Sequence, residues 1–246
     1  MILLLFGPPG CGKGTQATSL AEKFHMPAIS TGEMFRAECK AGTELGKQAS
    51  AIMQAGGLVG DDIVNGIVAN RISRRDCARG FLLDGYPRTV PQAQNFARLL
   101  AERGLPEPVV IHLDVPDWVL VARLTARRQC PKCLKIYNLQ SQPPRIAGYC
   151  DEDGSGLLTR EDDQESVIRD RLQAYNQLTG PILGWYGPAR VHTVDGAQPP
   201  EQVARAIEQA VSEATGKTPS RFDSGLLTQH ETVSGAGSAF AGGAAQ

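Results

Sequence analysis

Apolar residues in this chain gather into five short runs, at residues 1–6 (MILLLF), 26–29 (MPAI), 80–84 (GFLLD), 109–113 (VVIHL) and 191–194 (VHTV). Each has the length of a strand. The clearest of them are apolar almost throughout instead of alternating with polar residues, as strands buried on both faces are. Stretches with helical character lie between and after them, at residues 16–24, 63–74, 91–103, 118–128 and 201–214. Strand and helix in alternation predict an α/β fold, a parallel five-stranded sheet with helices on both faces.

Two stretches break the alternation. The first, residues 31–59, follows Ser30 with Glu33 three positions on, which predicts a capped helix start with Met34, Phe35 and Arg36 in its first turns. Gly42, Gly46, Gly56 and Gly57 then cut this stretch into short helices. Asp61 is the expected cap of the helix over 63–74. The second stretch, residues 130–159, holds Pro143, Pro144 and several glycines and reads as a loop-rich insertion. From Arg160 a helix is expected to run to about residue 175. If it includes Arg160, then Arg160 and Arg171, about three turns apart, point the same way. Arg123 and Arg127, four apart within 118–128, would share a helix face.

At 246 residues the chain suits one large domain with insertions, or one domain with a tail. Its 41% hydrophobic content is ample for a core, and a net charge of −1 argues against a nucleic-acid surface. No apolar run approaches the roughly 18 residues that would span a membrane. The strand entered at Ile2 leaves no room for a signal peptide or basic leader, so a cytoplasmic protein is expected. Six cysteines in that setting read as thiols or metal ligands rather than disulfides. Beyond residue 214 the composition turns small and polar, too poor in apolar side chains to offset ordering entropy, and 215–246 reads as a disordered tail.

The chemistry centres on residues 7–15 (GPPGCGKGT), between the first strand and the first helix. Gly7, Gly10 and Gly12 let backbone N–H groups turn around an anion, the helix N-terminus adds positive potential, and Lys13 reaches the outer phosphates. A hydroxyl usually follows the lysine directly in such loops; here Gly14 intervenes and Thr15 supplies it. This loop is expected to bind a nucleotide. Cys130, Cys133, Cys150 and Asp153 have the two-by-two spacing of a structural zinc site, with aspartate in place of a fourth cysteine; Asp151 or Glu152 could compete with Asp153. Cys11, Cys39 and Cys77 read as buried small residues.

Residues 7–16 (GPPGCGKGTQ), 29–36 (ISTGEMFR), 81–89 (FLLDGYPRT) and 160–163 (REDD), followed by Arg171 and Leu172, together resemble the adenylate kinases. The resemblance runs from residue 1 to about 214, in order and with that family's spacing, and the Gly14-Thr15 departure is the family's own version of the loop. It implies a core of 1–30, 60–127 and 161–214, a nucleoside-monophosphate clamp at 31–59 and a lid at 128–160. It implies transfer of the terminal phosphoryl of MgATP to AMP, giving ADP, by a monomer with no nucleic-acid or membrane partner. Gly10, Gly12, Lys13, Gly14, Thr15, Arg123, Arg127, Tyr137 and Gln198 would then meet ATP. Thr31, Arg36, Leu58, Val59, Gly85, Arg88, Gln92, Arg160 and Arg171 would meet AMP, with Arg169 standing in for Arg171 if the register slips. Lys13, Arg88, Arg123, Arg160, Arg171 and Asp84 would be catalytic, Asp84 holding Mg2+ through water. Many lids of this family carry zinc on four such residues, although Leu134 stands where glycine is common and Asn138 where histidine is.

Such a reaction needs no general base, because the attacking phosphate oxygen is already ionised, so catalysis reduces to in-line positioning and neutralised charge. His25, His112, His192 and His230 accordingly sit in no motif. A kinase for another nucleoside monophosphate and a nucleotide sensor without turnover are the alternatives. Thr31, Gln92 and the long lid favour AMP over the first. The presence of Lys13, Arg88 and Asp84 weighs against the second. Since residues 216–246 add neither motif nor core, their deletion should leave activity and melting temperature unchanged, and a fall of several degrees in thermal melting would refute this.

Overall fold

The structure, a computed structural model, describes residues 1–55 and 57–216; the proposed tail lies outside them, apart from its first two residues. Five parallel strands form the central sheet: β1 (Ile2–Phe6), β2 (Ala28–Ser30), β3 (Phe81–Asp84), β4 (Val109–Asp114) and β7 (Val191–Asp195), in the order β2-β3-β1-β4-β7. A two-stranded antiparallel hairpin is made by β5 (Arg127–Gln129) and β6 (Ile136–Asn138). The helices are α1 (Lys13–Phe24), α2 (Thr31–Ala41), α3 (Glu44–Gln54), α4 (Asp61–Ile72), α5 (Val90–Glu102), α6 (Asp117–Thr125), α7 (Glu165–Ala174), α8 (Gly180–Tyr186) and α9 (Pro200–Thr215).

Why β1 is apolar at every position is plain from its place. It lies in the middle of the sheet, paired to β3 through Leu3 and Leu82 and to β4 through Leu3 and Val109. Successive side chains leave opposite faces of a strand. Ile2, Leu4 and Phe6 accordingly enter one core with Phe81, Leu83 and residues of α4, α5 and α8, such as Val68, Phe96 and Ile182. Leu3 and Leu5 enter the other with Leu82, Ile111 and residues of α1, α6, α7 and α9, such as Leu20, Leu120, Ile168 and Ile207. All five β1 residues are buried, and each such side chain contributes about 1.5–3 kcal/mol on removal from water. Among the described residues no helix is long and apolar enough to cross a membrane.

Strand order reverses at β1, whose neighbours β3 and β4 connect to opposite sides of the sheet, and a crevice opens at the carboxyl ends of such strands. The glycine loop and Asp84 both leave the sheet there. Two insertions overhang the crevice. α2 and α3 lie between β2 and α4, and the hairpin with the loops after it lies between α6 and residue 160. They meet across it where Lys40 Nζ donates to the Pro131 carbonyl (3.0 Å), and Gln54 Nε2 reaches just beyond the second insertion, to Glu161 (2.8 Å).

Four sequence expectations need correction. The helix expected over 118–128 ends at Thr125, because the chain turns at Ala126 into the hairpin ladder, so Arg127 stands on a strand and shares no helix face with Arg123. The helix expected from Arg160 is broken: Glu161–Asp163 form a 3-10 turn, Gln164 is extended (φ −72°, ψ 142°), and α7 starts at Glu165. That break turns the Asp163 carboxylate inward, onto Arg127 and Arg171. Asp61 is the first residue of α4, not its cap, which is Gly60. Cys11 and Cys77 are buried as expected, whereas Cys39 is half-buried.

Gly46 is where α2 and α3 touch through their backbones. A Cβ built there would lie 2.2 Å from the Glu38 carbonyl oxygen and 2.6 Å from the Cys39 amide nitrogen. Gly46→Ala should therefore destabilise the α2–α3 pair by about 1–3 kcal/mol, read as faster amide exchange confined to residues 31–59. Unchanged exchange there would show that the helices part without cost.

Candidate active site

The glycine loop is shaped by positions only glycine takes readily. Gly12 caps α1 with φ 101°, and Gly7 has φ 147°, with a Cβ there only 2.8 Å from the Leu113 carbonyl oxygen. The first turn of α1 contains no acidic residue, so its positive end is left for an external anion. Lys13 Nζ lies over the loop, donating to the carbonyls of Gly7 (2.7 Å) and Pro8 (3.0 Å). Thr15 is exposed at the loop's end. Half-buried Asp84 ends β3 nearby; its charge raises the thiol of Cys11, after burial has done most of that, and partly offsets the desolvation of Arg88.

A cleft of about 1820 Å³ opens above this loop, and nine lysine and arginine side chains but five carboxylates line it. In a chain with a net charge of −1, that is a strong local excess of positive charge. Burial lowers the pKa of Arg88, and further lowering comes from Arg171 and Arg36. Arg160 is brought down to about 10, first by burial and then by Arg127 and Arg36. The pKa of Arg171 is lowered too, by burial before the nearby arginines. Cations this crowded and this poorly hydrated await an anion.

Carboxylates hold them in place. Glu33 accepts from Arg36 and, at 3.1 Å, from Arg160, whose Nε also donates to Gln129 (2.7 Å). Asp163, with a fully buried side chain, accepts from Arg127 and from Arg171 (3.2 Å), while Arg171 also reaches Asp162 (3.0 Å). The Arg36 and Arg160 guanidiniums hold Glu33 below the usual carboxylate range against the effect of burial, and Arg171 does the same for Asp162. Arg88 differs: its Nε donates to the Gly85 carbonyl (2.9 Å), and among the described residues no carboxylate lies within ion-pair distance of it. Arg36 Nε is buried without a partner in the same region.

The expected site residues thus converge on one cleft. Arg171 lines it, and Arg169 stays on the surface paired with Glu165. At one end Arg123 donates to the carbonyls of Gly196 (2.8 Å) and Ala197 (3.3 Å), beside Gln198, whose amide is held by Asp195. At the other end Thr31 donates to the Gly85 carbonyl (2.8 Å), near Leu58, Val59 and buried Gln92. Tyr137 also lines the cleft, although its hydroxyl is engaged in the lid, 3.4 Å from Cys150 Sγ and accepting from Asp151 N–H. Sequence reasoning missed Glu33, Asp61, Asp162 and Asp163 as site residues. The capping-box reading used Glu33 for the helix end, and only half of that box forms: Ser30 Oγ accepts from Glu33 N–H, while the Glu33 carboxylate faces arginines.

Four ligating atoms of Cys130, Cys133, Cys150 and Asp153 lie within 4.8 Å of one another. Asp151 is taken by Arg145 N–H and Glu152 by Lys135, which leaves Asp153 as the fourth member. Backbone N–H groups of Lys132 and Cys133 point at Cys130 Sγ (both 3.4 Å), as donors do toward a thiolate. Cys133 and Cys150 sulfurs are 3.5 Å apart, close to the roughly 3.7 Å that a tetrahedral ion with 2.3 Å bonds imposes. The set fits a four-coordinate divalent metal. Leu134 holds the left-handed φ of 64° that the knuckle demands and glycine would take freely, and Asn138 closes its turn by accepting from Gln140 and Ser141 N–H.

Comparison with known proteins agrees with this geometry. The profile of the family described as adenylate kinase matches residues 5–191. Adenylate kinase of Trichlorobacter lovleyi is 52% identical over 191 residues, covering 78% of this chain and 89% of that protein. Those of Anaeromyxobacter sp. Fw109-5 and Symbiobacterium thermophilum are 46% and 47% identical, each over 86% of this chain and 100% and 98% of their own lengths. With the match extending through the sheet, both insertions and the arginine cleft, the chain belongs to the adenylate kinase family.

Proposed function

We propose that the protein catalyses reversible transfer of the terminal phosphoryl group of MgATP to AMP, giving two ADP, as a monomer in the cytoplasm. The observation that carries this reading is the convergence of Lys13 and six arginines on one cleft with the glycine loop at its floor, burial lowering the pKa of three of them, Arg88, Arg160 and Arg171. An AMP phosphate oxygen attacks the γ-phosphorus in line, the bond from that phosphorus to the β–γ bridging oxygen breaks, and ADP leaves with the electron pair. No proton need move. In keeping with that, none of His25, His112 and His192 lines the cleft; His230 lies outside the described residues.

On the donor side the loop amides of Gly10, Gly12, Gly14 and Thr15, with Lys13, hold the ATP phosphates, and Arg123 and Gln198 border the base. On the acceptor side Arg36 and Arg88 grip the AMP phosphate, and Thr31, Leu58, Val59, Gly85 and Gln92 enclose its nucleoside. Arg127, Arg160 and Arg171 neutralise charge on the group in flight. Asp84 would hold Mg2+ through water, and the ion, when bound, would supply further charge neutralisation. Residues 31–59 form the acceptor clamp and 128–160 the lid, and their closure over the cleft, with Lys40 meeting Pro131, keeps water from the reacting phosphorus.

A coupled assay of ATP with AMP, CMP, UMP and GMP tests the reading, and AMP should be much preferred. Arg88→Ala should lower turnover by about 10²–10³-fold. Its melting temperature should hold or rise, since a poorly hydrated, unpaired cation is removed. Near-normal turnover in that variant would place the acceptor phosphate elsewhere.

Zinc is the metal that three thiolates and a carboxylate select, in a structural role with no open position. The lid has little else to hold it: its buried cluster consists of Cys130, Tyr137 and Cys150, while Leu134, Ile136, Leu139, Ile146 and Tyr149 are exposed. Purified protein should contain about one zinc per chain, and Cys150→Ser should lose it and melt at lower temperature while keeping activity in the cold. Protein that carries no zinc and takes up none on titration would defeat this.

A further inference from the structure

Gln92 is 1% exposed and lines the acceptor end of the cleft. Both ends of its amide are engaged within the protein. Nε2 donates to Asp61 Oδ1 at 2.7 Å, and Oε1 accepts from the Arg88 backbone N–H at 2.7 Å. Asp61 is itself fixed from a second side, since its Oδ2 accepts from Thr89 Oγ1 at 2.9 Å and Thr89 Oγ1 in turn accepts from the Gln92 backbone N–H at 3.2 Å. One small ring therefore joins the first turn of α4 to the first turn of α5.

The chemistry of the partners allows only one orientation of that amide. An ionised carboxylate can only accept, so the side facing Asp61 must be NH2. A backbone N–H can only donate, so the side facing Arg88 must be the oxygen. Turning the amide over would set oxygen against carboxylate and N–H against N–H, two repulsive contacts in a buried place. After these bonds the amide keeps one N–H donor and one oxygen lone pair for a ligand.

We infer that Asp61 sets the base specificity of the acceptor site, by fixing the Gln92 amide so that it presents a donor and an acceptor in the order an adenine edge requires. The inference rests on the proposed place of Gln92 beside the acceptor base. Adenine offers an acceptor at N1 next to a donor at N6; a 6-oxopurine offers a donor at N1 next to an acceptor at O6. An amide free to turn could serve either edge, whereas an amide locked by Asp61 and Arg88 N–H serves the first and opposes the second. Asp61 is then a positioning residue, acting through Gln92 on a group it does not touch.

Inosine monophosphate is the probe of choice against AMP, because it reverses the edge without adding the 2-amino group of guanine. Asp61→Asn keeps the shape but can turn its own amide to meet either side of Gln92. It should raise KM for AMP and lower the AMP-to-IMP ratio of kcat/KM about tenfold, with KM for ATP unchanged. Asp61→Ala should shift the ratio the same way. Gln92→Ala separates the inference from its premise. If Gln92→Ala collapses the ratio and Asp61→Asn leaves it intact, the locking role is wrong while Gln92 still reads the base. If neither variant moves the ratio, the premise fails and takes the inference with it. Equal losses toward AMP and IMP in both Asp61 variants, with a lowered melting temperature, would reduce Asp61 to a tie between helices.

Discussion

Guanidiniums crowded where water scarcely reaches repel one another, and the cleft exists only because buried carboxylates hold them. Asp163 serves Arg127 and Arg171 at once, and Glu33 serves Arg36 and Arg160. These acids come from the base of each insertion, Glu33 from the first turn of α2 and Asp163 from the turn before α7. The same pairs therefore fix the insertions over the sheet and aim the cations inward. Removal of Asp163, whose side chain is fully buried, would strand charge at about 3–5 kcal/mol, far more than a surface pair is worth.

How much of this was legible beforehand depended on the range of the interaction. The sheet could be read from the chain because each strand carries its own signature: β1 is apolar at every position since both of its faces are covered. The glycine loop and the cysteine knuckles were legible for the same reason, their spacing being local. Glu33 and Asp61 looked like helix-start residues, which they also are, but their other partners lie 127 and 31 positions away. No periodicity reports a contact of that kind. The two helix errors share this cause, since the chain leaves helical geometry at Gln164 and Ala126 to satisfy pairings with distant residues.

The lid shows what a segment does when its apolar side chains cannot form a core. Six of its larger apolar residues remain on the surface, and order is concentrated at four ligating side chains and the backbone donors around them. Leu134 shows the strength of that local demand, for a left-handed leucine costs on the order of 1 kcal/mol relative to glycine.

The backbone contact at Gly46 has a mechanical consequence. Helices separated by side chains can slide, since side chains repack, but α2 and α3 meet main chain to main chain and are further joined by Cys39 Sγ, which donates to the Gly46 carbonyl. They form a single stiff lever. Its first helix carries Thr31 and Arg36, and its second carries Gln54, in contact with Glu161. Close main-chain packing of this kind favours movement of the two helices together over slippage between them. The contact of Gln54 with the turn before α7 and the groups that face the acceptor therefore belong to one unit.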